Sequence, residues 1–301
     1  MGTFLGLSPE QSDRARARYV VLPVPYEGTV TYRSGTAGGP AAILDASRQV
    51  ELYDEQLGGE FVSAGIATAE AVPPAETPAE QMRRVRAAAE PVLRDGKFLL
   101  TLGGEHSITP PIVAACAAAR GDLSVLQIDA HADLRDTYGG TRHSHACTMR
   151  RVLETTDRIA QVGVRSYSRE EADALGERIE RLITPDVIER DPAWIDRALD
   201  LLGERVYVTV DLDGLDPSIA PGVGTPEPGG LSWRQVTALL RRVCAERHVI
   251  AADVVEARPI PPNHVTEFVA ARLAYKIIAY TQVRIPSAKA GPRPDAGEPP
   301  Q

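Results

Sequence analysis

The stretch "SVLQIDAHADLRD", residues 124–136, begins as an apolar strand and ends in charge. Val125, Leu126 and Ile128 form a β-prone run, after which Asp129, His131 and Asp133 occupy every second position with alanines between them. Strand side chains alternate faces with a period of two, so an extended chain would aim all three ionisable groups at one side. Such a face cannot lie in a buried core. It fits the carboxyl edge of a parallel sheet, where open α/β folds bind their ligands.

Three other segments repeat the pattern of an apolar strand ending in acid or imidazole. "TLGGEHS" carries Glu105 and His106, "VTVDLDGLDP" carries Asp211, Asp213 and Asp216, and "AADVVEARP" carries Asp253 and Glu256. Further strands are read at "YVVLPV" from Tyr19, "IAQVGVRS" from Ile159 and "RLITP" from Arg181. Helical segments separate them, among them "GGPAAILDASRQVE" from Gly38, "PAEQMRRVRAAAEPVLRDG", "ITPPIVAACAAAR", a helix from about His145 to Glu154, and "REEADALGERIE". "AWIDRALDLLG", "SWRQVTALLRRVCAE" and "VTEFVAARLAYKIIAYT" complete the series. Alternating strands and helices imply right-handed crossovers and an α/β fold with a parallel sheet covered on both faces.

The chain has 301 residues, long for one domain, yet parallel α/β sheets run to such lengths as one unit. One domain is expected over residues 1–285, followed by a Pro-rich polar tail over 286–301 expected to be disordered. A net charge of −8 and the lack of any basic run argue against nucleic acid and anionic membrane as partners. No stretch of 18 apolar residues exists, and the N-terminus lacks the apolar core of a secretion signal. Cys116, Cys147 and Cys244 are odd in number and far apart, so no disulfide framework is suggested and a cytoplasmic setting is expected.

Asp129, Asp133, Asp211, Asp213, His106 and His131 would converge in a medium of low dielectric. Four carboxylates there repel one another unless counter-charge is supplied, and two divalent cations supply it with formal neutrality. Oxygen and imidazole donors suit Mn²⁺. A calcium loop of the EF-hand type fails, because residues 205–210 read as strand and position twelve counted from Asp211 is Gly222. A zinc-protease helix fails as well, since no HExxH occurs.

"GGEHS", "DAHAD", "SHACTMRR" and "DLDGLDPSIAPGVGTPEPGGL" together resemble, in order, the signatures of the ureohydrolases, the arginase and agmatinase family, and most closely the agmatinase type. The resemblance spans about residues 18–282. It implies a three-layer αβα sandwich, two Mn²⁺ per subunit and a homotrimer or homohexamer. It also implies that His106, Asp129, Asp133 and Asp211 hold one ion, and His131, Asp129, Asp211 and Asp213 the other, with Asp129 and Asp211 bridging. Glu105 stands where the family often has aspartate, "SHACT" where many members have "SHGT", and Val223 where threonine is frequent; none of these removes a ligand. Cys147 reads as small packing rather than a nucleophile.

A guanidinium carbon is resonance-stabilised and its cation stays protonated at neutral pH, so water needs activation to attack it. Glu256, by position and by resemblance, is expected to accept two parallel N–H bonds from the cation, rather than to pair with Arg258. His145 matches the family's proton-shuttling histidine, whereas His143 competes on spacing alone. Agmatine, cleaved to putrescine and urea in polyamine biosynthesis, is the leading substrate, with N1-aminopropylagmatine second. Guanidinobutyrate is third, its carboxylate needing Arg33, Arg135 or Arg142, and the arginase loop with its asparagine is absent. An inactive metal-binding homologue would lack a ligand, His145 or Glu256, and none is missing. A one-zinc deacetylase of acetylpolyamines would not need His106 and Asp213.

Overall fold

The computed structural model describes residues 2–176 and 181–283. Its strands are β1 (Tyr19–Val24), β2 (Tyr53–Asp54), β3 (Gly59–Glu60), β4 (Ile66–Thr68), β5 (Phe98–Gly103), β6 (Ser124–Ile128), β7 (Ile159–Val162), β8 (Leu182–Ile183), β9 (Arg205–Asp211) and β10 (His248–Val255). Helices are α1 (Gly39–Ser47), α2 (Pro78–Arg94), α3 (Thr109–Arg120), α4 (Thr148–Val152), α5 (Arg169–Leu175), α6 (Pro185–Arg190), α7 (Trp194–Asp200), α8 (Trp233–Glu246) and α9 (Val265–Tyr280). The tail read at 286–301, and residues 177–180 of the helix read from Arg169, lie outside the described residues.

Eight strands form one sheet in the order β4-β1-β5-β10-β9-β6-β7-β8, every pairing parallel, while β2 and β3 make a small antiparallel ribbon. Neighbouring residues of the central strands bury into opposite layers. Val21, Leu100, Leu126 and Val208 pack with α1, α8 and α9 residues such as Ile43, Leu239 and Leu273. Val20, Leu99, Val125 and Tyr207 pack with α2, α3 and α4 residues such as Val85, Ile112 and Met149. Period-two alternation with both faces apolar therefore appears in the sequence as continuous apolar runs, and the result is the three-layer αβα sandwich. Helix starts follow local chemistry: Thr77 caps α2, and Ser232 with Gln235 forms a reciprocal capping box on α8.

β4, α6 and the β2–β3 ribbon are each too short to fill a periodic window, so hydrophobic periodicity does not reveal them. β7 is shorter than the run read there, and the short strand at "RLITP" contracts to Leu182–Ile183. Among the described residues, no helix is long and apolar enough to cross a membrane.

Residues 124–133 are not one continuous extended strand. Strand β6 ends at Ile128, so Asp129, His131 and Asp133 lie beyond it, and Asp133 has φ +54°. Strand alternation alone does not aim the three groups. A left-handed backbone at an aspartate, uncommon outside glycine, turns the third one in.

Candidate active site

The four central strands β5, β10, β9 and β6 end side by side, and each releases its chain into a short turn that carries functional groups. A 3₁₀ turn over His106–Ile108 follows β5, and another over Leu212–Gly214 follows β9 with Asp213 inside it. Gly214 lets the β9 turn lie against the β6 turn, since a Cβ there would meet the Asp129 backbone nitrogen at 2.7 Å.

His106 is buried, with Nδ1 3.1 Å from Asp129 Oδ2, 3.1 Å from Asp133 Oδ2 and 3.3 Å from Asp211 Oδ2. His131 Nδ1 lies 3.0 Å from Asp213 Oδ2 and 3.6 Å from Asp129 Oδ1. Two ligand-like groups result, His106–Asp129–Asp133 and Asp129–His131–Asp213, and Asp129 belongs to both through its two oxygens.

A metal ion fits this arrangement on a specific observation. Thr209 Oγ1 donates to Asp253 Oδ1 at 2.6 Å, so at 2.8 Å from His106 Nε2 it has only lone pairs to offer and must accept the Nε2 proton. In the neutral ring Nδ1 is then a bare lone pair, buried, without a hydrogen-bond partner, and surrounded by three carboxylates. Donors gathered around one point with no proton between them call for a cation.

Without a cation, protons supply the charge. Burial opposes ionisation of His131, but Asp213 and Asp129 outweigh it and push the imidazole up to about 12. Burial likewise opposes a charged His106, yet Asp129, Asp133 and Asp211 raise it well above its ordinary value. Asp133 is pushed up to about 7 by burial and by Asp129, and Asp211 is raised by burial, Asp213 and Asp129. Protons and divalent cations are alternative occupants of the same negative field.

A cavity of about 340 Å³ opens over the cluster, lined by His106, His131, Asp133, Asp211 and Asp213 together with His145 and Glu256. Glu256 is 8% exposed and has φ +65°, so among the described residues two of the three non-glycine positions with positive φ belong to this site. Its Oε1 accepts the His106 main-chain N–H at 2.7 Å, which fixes the carboxylate beside the cluster. His145 opens a 3₁₀ turn ahead of α4, and burial followed by the charge of His106 and His131 pushes it down to about 4.

Other residues singled out in the sequence do not join the cluster. Asp216 serves a surface turn, accepting from Ser218, Gly229 and Gly230. Asp253 sits behind it, accepting from Thr109, Tyr207 and Thr209. Glu105 turns towards Gly28, Thr29 and Ser107, and His143 lines a separate groove between α2 and α3. Cys147 is fully buried and its thiol is pushed up to about 11 by burial, consistent with packing. Arg258 bonds the Ser34 carbonyl, not Glu256; Arg142 pairs with Glu154; Arg33 stacks on Tyr32. Only Arg135 of the three arginines lines the cavity, stacked on Tyr138. Sequence reading missed Thr209 and Gln127, whose Nε2 donates to Asp129 Oδ2 at 2.7 Å. Each stands two residues before a clustered aspartate, and period-two alternation extended backwards would have found both.

Two carboxylate–imidazole groups that could hold metal ions, under a cavity at the carboxyl edge of a parallel sheet, are an arrangement suited to metal-assisted hydrolysis. The arginase family model matches residues 17–279, and the chain belongs to that family. It is a ureohydrolase. A relative from Thermus thermophilus, described as N(1)-aminopropylagmatine ureohydrolase, is 43% identical over 263 residues, covering 87% of this chain and 89% of the relative. An agmatinase of Bacillus anthracis is 34% identical, covering 80% of this chain and 83% of the relative. The crystal structure of agmatine ureohydrolase of Thermoplasma volcanium superposes with a TM-score of 0.84 at 32% identity, covering 94% of each chain.

Proposed function

We propose that this enzyme hydrolyses the guanidinium group of agmatine to urea and putrescine, with two Mn²⁺ per subunit. The observation that carries the reading is the double group sharing Asp129, set on the floor of a cavity whose wall holds a buried glutamate and a histidine. His106, Asp129, Asp133 and Asp211 would hold one ion and His131, Asp129, Asp211 and Asp213 the other. An oxygen and imidazole donor set without thiolate suits Mn²⁺. Bound there, divalent cations supply Lewis acidity and bring the pKa of coordinated water towards neutrality.

The protein's own groups do the rest. Glu256 Oε2 carries no hydrogen bond among the described residues, while Oε1 is anchored on His106, so the carboxylate keeps an oriented acceptor for a guanidinium N–H. This holds the planar cation over the cluster, converting a collision into an oriented attack. His145 lines the same cavity and, being neutral at physiological pH, can take a proton and pass it to the leaving amine.

A second reading has a specific observation in its favour. The N(1)-aminopropylagmatine ureohydrolase from T. thermophilus is 43% identical to this chain and the B. anthracis agmatinase 34%. Both substrates present the same guanidinium end and differ in the amine tail. Urea release with Mn²⁺ from agmatine, N1-aminopropylagmatine, arginine and guanidinobutyrate tests both readings. The amines are expected to turn over and the carboxylates to be poor; urea from none of them with metal bound overturns the proposal. A cytoplasmic homotrimer or homohexamer, implied by the family resemblance, completes it, and light scattering on the purified protein checks the assembly.

A further inference from the structure

We propose that Glu105 and Thr29 form a relay that fixes the tautomer of His145, so that Nε2 faces the cavity as a proton acceptor. The inference rests on the role given to His145 above. Glu105 is fully buried and its two oxygens are surrounded by donors. Oε2 accepts the main-chain N–H groups of Gly28 at 2.8 Å and Thr29 at 2.6 Å, and Oε1 accepts the hydroxyls of Ser107 at 2.5 Å and Thr29 at 2.8 Å. Four donors make it a carboxylate with nothing to give.

Thr29 Oγ1 has a single proton and three partners. Besides Glu105 it lies 3.0 Å from the His145 main-chain nitrogen and 3.1 Å from His145 Nδ1. The main-chain N–H can only donate. Between Glu105 and Nδ1 as destinations for the hydroxyl proton, the buried carboxylate wins, because a charge-assisted bond is roughly twice as strong as a neutral one. Thr29 Oγ1 therefore meets the ring with a lone pair, and Nδ1 carries the hydrogen.

Nε2 is then the bare nitrogen. No hydrogen bond among the described residues occupies it, and His145 lines the cavity above the cluster. A proton accepted at Nε2 leaves the Nδ1–H bond to Thr29 in place, so the ring keeps its orientation and its new positive charge is opposed by Glu105 through one hydroxyl. Glu105 and Thr29 are positioning residues and touch no substrate.

Replacing the hydroxyl tests the relay. Thr29→Val is expected to lower kcat by about 10- to 100-fold, a part of what general acid–base catalysis supplies, with KM and bound metal little changed. Thr29→Ser should restore kcat. Imidazole ¹⁵N shifts in the full-length metal-free chain should show His145 with Nδ1 protonated and Nε2 bare in the wild type and Thr29→Ser, and a mixture of tautomers in Thr29→Val. Wild-type kcat in Thr29→Val, or an Nε2-protonated His145 in the wild type, overturns the inference. The ¹⁵N measurement decides it even if no guanidino compound releases urea, an outcome that sinks the functional reading separately.

Discussion

Thr209 Oγ1 accepts a 2.8 Å hydrogen bond from His106 Nε2–H and donates its own hydroxyl hydrogen to Asp253 Oδ1 at 2.6 Å. Asp253 also accepts from Tyr207 at 2.6 Å and Thr109 at 2.7 Å, so the acceptor end of this chain cannot reverse. The ring that faces the cluster is thereby fixed in both orientation and tautomer. Removing the hydroxyl in Thr209→Val frees His106 and leaves its Nε2–H without an acceptor in a buried place. Mn²⁺ affinity should fall by about 10- to 100-fold, the usual cost of losing the group behind a metal-binding histidine, while circular dichroism reports an intact fold. Titration calorimetry on the metal-free protein measures it, and an unchanged affinity would show that His106 needs no support.

The shared position of Asp129 predicts a graded response to ligand loss. Asp129→Ala and Asp211→Ala should both release metal, because each removes a carboxylate facing the cluster centre. His131→Ala removes a donor from one group only and should leave close to one ion per chain. His145→Ala should keep both ions and lose turnover. Elemental analysis after dialysis separates these cases, and full metal in Asp211→Ala would place the ions elsewhere.

Glu256 was legible because a glutamate ending an apolar strand is out of place in a core. Its backbone was not. A positive φ at Glu256 and Asp133 leaves no mark in a sequence that has no glycine there, so the exact aim of both carboxylates had to come from the structure. The sheet itself was readable: pairs such as Val125 and Leu126 bury into opposite layers, which only a doubly covered parallel strand requires. Asp216 and Asp253 look like Asp211 and Asp213 in one dimension, and only their hydrogen-bond partners sort the turn and the support from the cluster. Thr209 and Gln127 share the period-two phase of Asp211 and Asp129, but a hydroxyl or amide in an apolar strand passes for an ordinary strand residue unless that phase is followed backwards.

Glu256→Gln keeps an oxygen for the His106 N–H but removes the negative charge opposite a guanidinium. Charge-assisted bonding is lost at both positions. Metal content should be unchanged, and kcat/KM on the best guanidino amine should fall by about 100-fold or more, in line with the cost of truncating one partner of a buried charge pair. Wild-type kcat/KM in this variant would assign the cation to another acceptor.

With metal held by the cluster as proposed, protons compete with it, and the direction of that competition is set by the raised values of His106 and His131. In the folded metal-free chain His131 holds its proton up to about 12 against an ordinary 6.5, so its stabilising contribution is complete below 6.5 and is lost as pH rises towards about 12. Metal must displace that proton, so affinity falls as pH falls and binding releases protons. Mn²⁺ is therefore expected to stabilise the fold more at pH 9 than at pH 6, and chelation should lower the Tm more at pH 9. His145, pushed down to about 4 by burial and by positive charge, stays neutral between pH 5 and 8 and contributes no acid limb there. Activity should nevertheless decline below neutrality because metal is lost, and the midpoint of that decline should move to lower pH as Mn²⁺ concentration is raised. A midpoint that does not move with Mn²⁺ would assign the limb to a residue of the protein and refute the competition.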